Sequence, residues 1–212
     1  MTGKVRIIGG QWRGRRLAVP EHPGLRPSGD RGRETLFNWL ASRIRGARCL
    51  DLFAGTGALG LEAASRGAAR VTLVERDRKL CRALEQIATD WPGGDALDVV
   101  CADAMAWLAA ADGPWDLVFV DPPFDAGLHG RVLDALTRPG LLADGARVYI
   151  ESPARAPAPV TAPAPEPASS PCMLAGLNPP TWRIDRDKRV GEVRMQLLAR
   201  ERPADESALP GA

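Results

Sequence analysis

Residues that bind metal are scarce in this chain of 212 residues, which has four cysteines and two histidines. Cys49, Cys81, Cys101 and Cys172 contain no C-x-x-C pair, and His22 and His129 are far apart. That spacing excludes the usual zinc motifs, so no metal is expected, and free thiols in a reducing cytoplasm are the simplest reading. There is no apolar signal core at the N-terminus and no apolar run long enough to span a bilayer. A cytoplasmic location without a membrane partner is therefore expected.

What remains is ordinary globular composition, 45% hydrophobic and 25% charged. A chain of this length can bury a core without disulfides or metal, and one domain is the default. The net charge is only +2, yet its distribution is uneven. Residues 1–48 hold eleven basic side chains against three acidic ones, a net charge of +8, and the remainder nets −6. A basic segment joined to a mildly acidic body points to a polyanion contact through the first part. The alternative is a solvated arginine surface.

Lys4 to Ile8 alternates, Gly9-Gly10-Gln11-Trp12 interrupts, and Arg16 to Val19 resumes. This pattern predicts a β-hairpin with Arg13, Arg15 and Arg16 at its tip. A Pro/Gly-rich loop follows, and Asp30 is placed to cap a helix over 31–45. Leu36, Phe37, Leu40, Ala41 and Ile44 share one face of that helix. Gly32 weakens its first turn by up to about 1 kcal/mol against Ala.

From Arg48 onward short apolar runs alternate with helical stretches. Strands are predicted at 49–53, 71–75, 99–102, 117–120 and 147–151. Helices are predicted at 58–66, 77–91, 104–110 and 128–138. Near-continuous apolar strands between helices imply a parallel sheet covered on both faces. Trp182–Val190 and Val193–Arg200 are separated by Gly191 with no room for a helix, which reads as an antiparallel hairpin added to that sheet. Residues 153–171 hold seven prolines. Proline breaks helices and cannot donate to a sheet, so a flexible or polyproline-like insertion is expected. Residues 203–212 read as a frayed tail. The expected organisation is a basic hairpin extension over 1–29 and one α/β domain over 30–202.

Two motifs carry chemistry. The first, Asp51-Leu52-Phe53-Ala54-Gly55-Thr56-Gly57-Ala58-Leu59-Gly60, joins the first parallel strand to its helix. Its glycines allow a tight turn and close approach of a ligand. Alone, the spacing G-x-G-x-x-G leaves both NAD and S-adenosylmethionine open. An acid at Asp51 suits the amino end of a methionine moiety and would repel a pyrophosphate. The terminal hairpin is also foreign to the usual dinucleotide fold. Both features favour S-adenosyl-L-methionine. Glu75 is then placed to accept from both ribose hydroxyls, Asp103 from the adenine amino group, and the Ala104 N–H can serve a ring nitrogen. Phe53 can equally be core. Asp103 can equally cap the helix at Ala104, and the two roles are compatible.

The second motif is Trp115-Asp-Leu-Val-Phe-Val-Asp121-Pro122-Pro123-Phe124, a buried strand ending in an acid, two prolines and an aromatic. The prolines stiffen the turn and aim the Pro122 carbonyl. An exocyclic amine on a base is a poor nucleophile, because its lone pair is delocalised into the ring. The Asp121 carboxylate and the Pro122 carbonyl can hold its two N–H bonds and favour a pyramidal nitrogen. Positioning then supplies much of the rate, and the carboxylate stabilises the charge that develops. Phe124 can stack on a flipped base. A plain Pro-Pro turn is the alternative.

Four segments together resemble the bacterial 16S rRNA guanine-N2 methyltransferases of the small ribosomal subunit. They are Arg6 to Arg15, Leu25 to Leu40, the glycine loop, and Asp121-Pro122-Pro123-Phe124. The glycine loop and the D-P-P-F turn occur in many methyltransferases, and the two N-terminal segments are more specific. The resemblance implies a Rossmann-like class I fold with a mostly parallel seven-stranded sheet and S-adenosyl-L-methionine as methyl donor. It implies one guanine of 16S rRNA as target, at position 966, in the small subunit or an assembly intermediate. It implies Asp121, Pro122, Pro123 and Phe124 as the amine-gripping turn, with Arg13, Arg15, Arg16, Arg31 and Arg33 contacting rRNA. A monomer is expected. Ser28-Gly29 and Gly32 depart from the family pattern, which more often has Thr or Ser and a Val there, and the Pro/Ala tract is an addition. The D-P-P-F turn would also suit a DNA adenine or a protein amide, though the chain has little room for a separate target-recognition domain. A non-enzymatic nucleic-acid binder or a dinucleotide protein is the third possibility, and an intact D-P-P-F argues against it.

Overall fold

The computed structural model describes residues 4–18, 29–123, 127–154 and 182–200. Phe124, the Pro/Ala tract from residue 155 and the C-terminal tail lie outside the described residues.

A two-stranded hairpin, β1 (Lys4–Arg6) and β2 (Arg16–Ala18), comes first. Helix α1 (Asp30–Trp39) leads into β3 (Arg48–Asp51), α2 (Ala58–Ser65), β4 (Arg70–Glu75) and α3 (Arg78–Asp90). Then follow β5 (Leu97–Cys101), α4 (Ala104–Ala110), β6 (Trp115–Val120), α5 (Leu128–Leu136) and β7 (Leu142–Pro153). The closing hairpin is β8 (Trp182–Val190) and β9 (Val193–Arg200). Seven strands form one sheet in the order β5-β4-β3-β6-β7-β9-β8. It is parallel from β5 to β7, and β9 runs antiparallel to both β7 and β8.

Strand alternation divides the core into two layers. Cys49, Leu73, Leu117, Phe119 and Tyr149 pack on one face with Leu36 and Phe37 of α1, Leu61 of α2 and Leu84 of α3. Leu50, Val74, Val118, Val120 and Ile150 pack on the other face with Leu108 of α4 and Val132 and Leu136 of α5. Both faces are covered by helices, which explains why the strands read as unbroken apolar runs. Phe119 is fully buried, so truncating it to Ala would cost about 3–5 kcal/mol.

Three details differ from the sequence expectation. Gly29, not Asp30, occupies the N-cap of α1 and makes no side-chain cap. Asp30 is the first helical residue, and its carboxylate pairs with Arg33 at 2.7 Å and Arg6 at 3.5 Å. Second, α1 ends at Trp39, not near Arg45. The next turn continues with Arg43 N–H on Leu40 O at 2.8 Å and Ile44 N–H on Leu40 O at 3.1 Å. Leu40 and Ile44 therefore stay buried at helical spacing without belonging to the helix. Third, β7 begins at Leu142, five residues before the apolar run, because Leu142 pairs with Trp115 across an irregular register.

The hairpin is docked by polar contacts as well as by apolar ones. Glu62 of α2, fully buried, accepts the Ile8 and Gly9 N–H groups at 2.7 and 2.8 Å and Arg66 Nε at 2.7 Å. Trp12 is buried, donates its indole N–H to Pro92 O at 2.8 Å, and meets Trp91 edge-on. Gly10 has φ +75°, and a Cβ there would lie 1.8 Å from Ser65 O. Only glycine allows this approach of the hairpin to the end of α2.

Candidate active site

The glycine loop and the Asp121 turn leave neighbouring strands. Strands β3 and β6 pair in parallel, with Asp51 opposite Phe119, and Leu52 N–H donates to Phe119 O at 3.1 Å. The strand order reverses between β3 and β6, so their carboxyl ends flank the crevice where ligands bind in open α/β sheets. The two motifs therefore open onto the same edge, as methyl transfer requires.

Asp51 is buried, and its Oδ2 accepts the Gly60 N–H at 2.8 Å. Burial pushes its pKa up to about 7, against the pull of the Gly60 amide and with a further push from Glu75. Gly57 caps α2 with φ +78°, and a Cβ there would lie 2.5 Å from Leu84 Cδ2. Gly55 also has positive φ, at 54°. Its N–H donates to Glu75 Oε2 at 2.8 Å, while the Asp77 N–H donates to Glu75 Oε1 at 2.7 Å. Glu75 is thus fixed against the glycine loop by one amide on each oxygen, and each oxygen keeps a further lone pair for a ligand. Asp103 caps α4 by accepting the Ala106 N–H at 2.9 Å, and remains exposed. Ala104 is buried beside it. Phe53 is half-buried, packed against the second core layer.

Asp121 is half-buried, Pro122 buried and Pro123 exposed directly after β6. Strand β7 brings in residues that the sequence reading did not single out. The Tyr149 hydroxyl donates to Glu151 Oε2 at 3.0 Å, and both side chains are buried. Burial, then Glu151, then Asp121 raise the Tyr149 pKa well above its ordinary value, so the phenol is a neutral donor. The alternation Tyr149-Ile150-Glu151 was the available signal, since it puts the hydroxyl and the carboxylate on one face.

Four carboxylates thus line one edge, Glu75 on β4, Asp51 on β3, Asp121 after β6 and Glu151 on β7. Asp51 and Glu75, the pair bonded to the glycine loop, fit the ammonium and ribose of S-adenosyl-L-methionine and oppose a pyrophosphate, while Asp121 and Glu151 stand beyond them on the substrate side.

The arginines divide into two groups. Arg13, Arg15 and Arg16 are exposed at the hairpin tip, with Arg15 lying over the Trp91 ring at 4.8 Å. The tip rests on the C-terminal ends of α2 and α3, whereas α2 begins at the glycine loop. One helix of eight residues, about 12 Å, separates tip and loop. Arg31 is exposed on the first turn of α1. Arg33 corrects the sequence expectation. It is 1% exposed, and its Nη2 donates to Arg6 O at 2.8 Å and Asp30 Oδ1 at 2.7 Å. Its guanidinium serves the docking of the hairpin and does not face solvent. Its place one turn before the buried Phe37, on the inner face of α1, was the sequence signal of burial.

A class I methyltransferase is what this fold and edge define, with the parallel sheet, the glycine loop after β3 and the acid–proline–proline turn after β6. Residues 5–164 match the family model described as conserved hypothetical protein 95. The chain is 45% identical to ribosomal RNA small subunit methyltransferase D of Escherichia coli strain K12, across 98% of this chain and 96% of that protein. It is 35% identical to the Haemophilus influenzae protein of the same name, across 92% and 93%. The solved structure of the putative methyltransferase yhhF from Escherichia coli superposes with a TM-score of 0.76 at 44% identity, covering 95% of this chain and all of that one. The chain belongs to the ribosomal RNA small subunit methyltransferase D family.

Proposed function

We propose that this protein transfers a methyl group from S-adenosyl-L-methionine to the exocyclic N2 of one guanine of 16S rRNA in the cytoplasm, in the small subunit or an assembly intermediate. We propose position 966 for that guanine. The observation that carries the reading is the adjacency of β3 and β6, which puts the Asp51 loop and the Asp121-Pro122-Pro123 turn on one edge.

Asp51 holds the amino end of the donor, directly or through water. Glu75 accepts from the ribose hydroxyls, and Asp103 and the Ala104 N–H bind the adenine. Bound S-adenosyl-L-methionine supplies an electrophilic methyl group on a sulfonium. Asp121 and the Pro122 carbonyl accept the two N–H bonds of the guanine amine, so that its lone pair points along the line of displacement. The nitrogen–carbon bond forms as the carbon–sulfur bond breaks, and the Asp121 carboxylate stabilises the positive charge on nitrogen until an amine proton leaves. Phe124 stacks on the flipped base.

Arg13, Arg15, Arg16 and Arg31 contact rRNA phosphates. With the tip at the C-terminal end of α2, one helix length from the glycine loop, the RNA follows the flank of the domain, not the catalytic edge alone. The test is transfer from labelled S-adenosyl-L-methionine to small subunits that lack the modification, followed by mass mapping of 16S rRNA. Label on one guanine N2 is expected, and unlabelled 16S rRNA would refute the assignment.

A further inference from the structure

The β6–β7 ladder ends with Val120 paired to Ile150. The next residues along the two parallel strands are Asp121 and Glu151. Phe119 and Tyr149 precede them, with ring centroids 6.5 Å apart on the α1 face of the sheet. Glu151 follows Tyr149 on that face and is 6% exposed. One of its oxygens accepts the Tyr149 hydroxyl at 3.0 Å, which sets the plane of the carboxylate. His129 Nε2 lies 2.8 Å from the Glu151 backbone oxygen and ties α5 to the same point of β7. A second carboxylate, oriented by a neutral phenol, therefore stands next to the group assigned to the amine.

The chemistry of the amino bases gives this placement a meaning. In adenine the ring nitrogen beside the amine is N1, an acceptor. In cytosine it is N3, also an acceptor. In guanine alone the amine is flanked on one side by a ring N–H donor, N1–H. A carboxylate beside the amine-gripping turn repels the acceptor nitrogens and accepts from N1–H. We propose that Glu151, oriented by Tyr149, accepts the N1–H of the target guanine and is the group that selects guanine over the other amino bases. This rests on the methyl-transfer reading above. Glu151 touches the base, and Tyr149 is a positioning residue that acts through it.

The test compares small subunits reconstituted with 16S rRNA carrying either guanine or 2-aminopurine at the target position. 2-Aminopurine keeps the 2-amino group but has an unprotonated N1. Loss of a hydrogen bond to a charged group predicts that kcat/KM for guanine exceeds that for 2-aminopurine by about tenfold to a hundredfold in the wild-type protein. Glu151→Gln can donate its amide N–H to an unprotonated N1 and should cut this ratio about tenfold or more. Tyr149→Phe leaves the carboxylate unoriented and should lower the ratio by a smaller factor. S-adenosylhomocysteine affinity, read by calorimetry, should be unchanged in both variants. A wild-type protein that methylates both bases equally overturns the proposal without any variant. Variants that lose activity on both bases in proportion, with the wild-type ratio intact, also overturn it, because a purely structural role moves both substrates together. Absence of transfer to either base by the wild type would instead bring down the methyl-transfer reading, and this inference with it.

Discussion

The Oδ2 of Asp51 accepts the Gly60 N–H at 2.8 Å from inside the core, one strand away from Asp121. The bond ties the end of β3 to the first turns of α2 and keeps an acid where water does not reach it. Burial raises the pKa of Asp51 to about 7. A raised carboxyl pKa means that the folded state holds the proton more tightly than the unfolded chain does. The ligand-free protein should therefore lose stability as pH rises from about 4 through 7, and Asp51→Asn should flatten that slope. Urea unfolding at pH 5 and pH 8 measures it. A positive donor relieves the cost, so wild-type binding near neutrality should release a proton from Asp51. Calorimetry in buffers of different ionisation enthalpy should show this release in the wild type relative to Asp51→Asn. Identical proton counts for the two proteins would remove Asp51 from the donor site.

Asp121 should act on the rate and leave donor binding alone. Asp121→Ala should lower kcat by about a hundredfold to a thousandfold, the usual cost of losing one group that stabilises transition-state charge. Asp121→Asn keeps an acceptor oxygen but no charge, and its loss should be smaller. Single-turnover rates beside S-adenosylhomocysteine affinities separate the two effects. Wild-type rates in Asp121→Ala would show that the turn does not hold the amine.

Glu62 is the anchor of the N-terminal hairpin. It is fully buried and binds two backbone amides and Arg66, with Arg33 Nη1 at 4.0 Å. Removing the carboxylate leaves a buried cation and two amides without their acceptor. Glu62→Ala should cost about 3–5 kcal/mol in urea unfolding. Limited proteolysis should then cut first near residues 4–18. Stability within 1 kcal/mol of wild type would contradict the anchoring role.

The hairpin tip predicts a salt effect distinct from catalysis. Replacing Arg13, Arg15 and Arg16 with Ala should weaken RNA binding and flatten the log–log salt slope by roughly 2, since each phosphate neutralised by the protein adds about 0.7–0.9 to that slope. Transfer at saturating RNA should persist, because the tip lies one helix length from the glycine loop. An unchanged slope would show that the tip arginines touch no phosphate.

Much of the fold could be read in advance because it depends on local physics. Helix α4 lies where its cap and spacing place it, at Ala104–Ala110, and the closing strands Trp182–Val190 and Val193–Arg200 coincide with their predicted spans. In each case a period of apolar residues and a nearby breaker suffice. The glycine loop and the Asp121 turn were legible for the same reason, as short motifs with demanding backbone requirements. Errors arose where a partner distant in sequence decides the outcome. Arg33 looks like a free cation until Arg6 and Glu62 fold over it. Strand β7 lengthens because Leu142 finds Trp115.

The sequence by itself determined the alternation of strand and helix, the glycine loop and the acid–proline–proline turn, and the basic bias of the first 48 residues. Those properties follow from side-chain period, glycine and proline geometry and charge count, none of which needs a distant partner. Only the tertiary structure decided that β3 lies beside β6, that Tyr149 and Glu151 stand next to Asp121, and that Arg33 is enclosed while Arg13, Arg15 and Arg16 remain in water. Strand order and burial are properties of pairing between segments, and a chain read residue by residue does not contain the distances that create them.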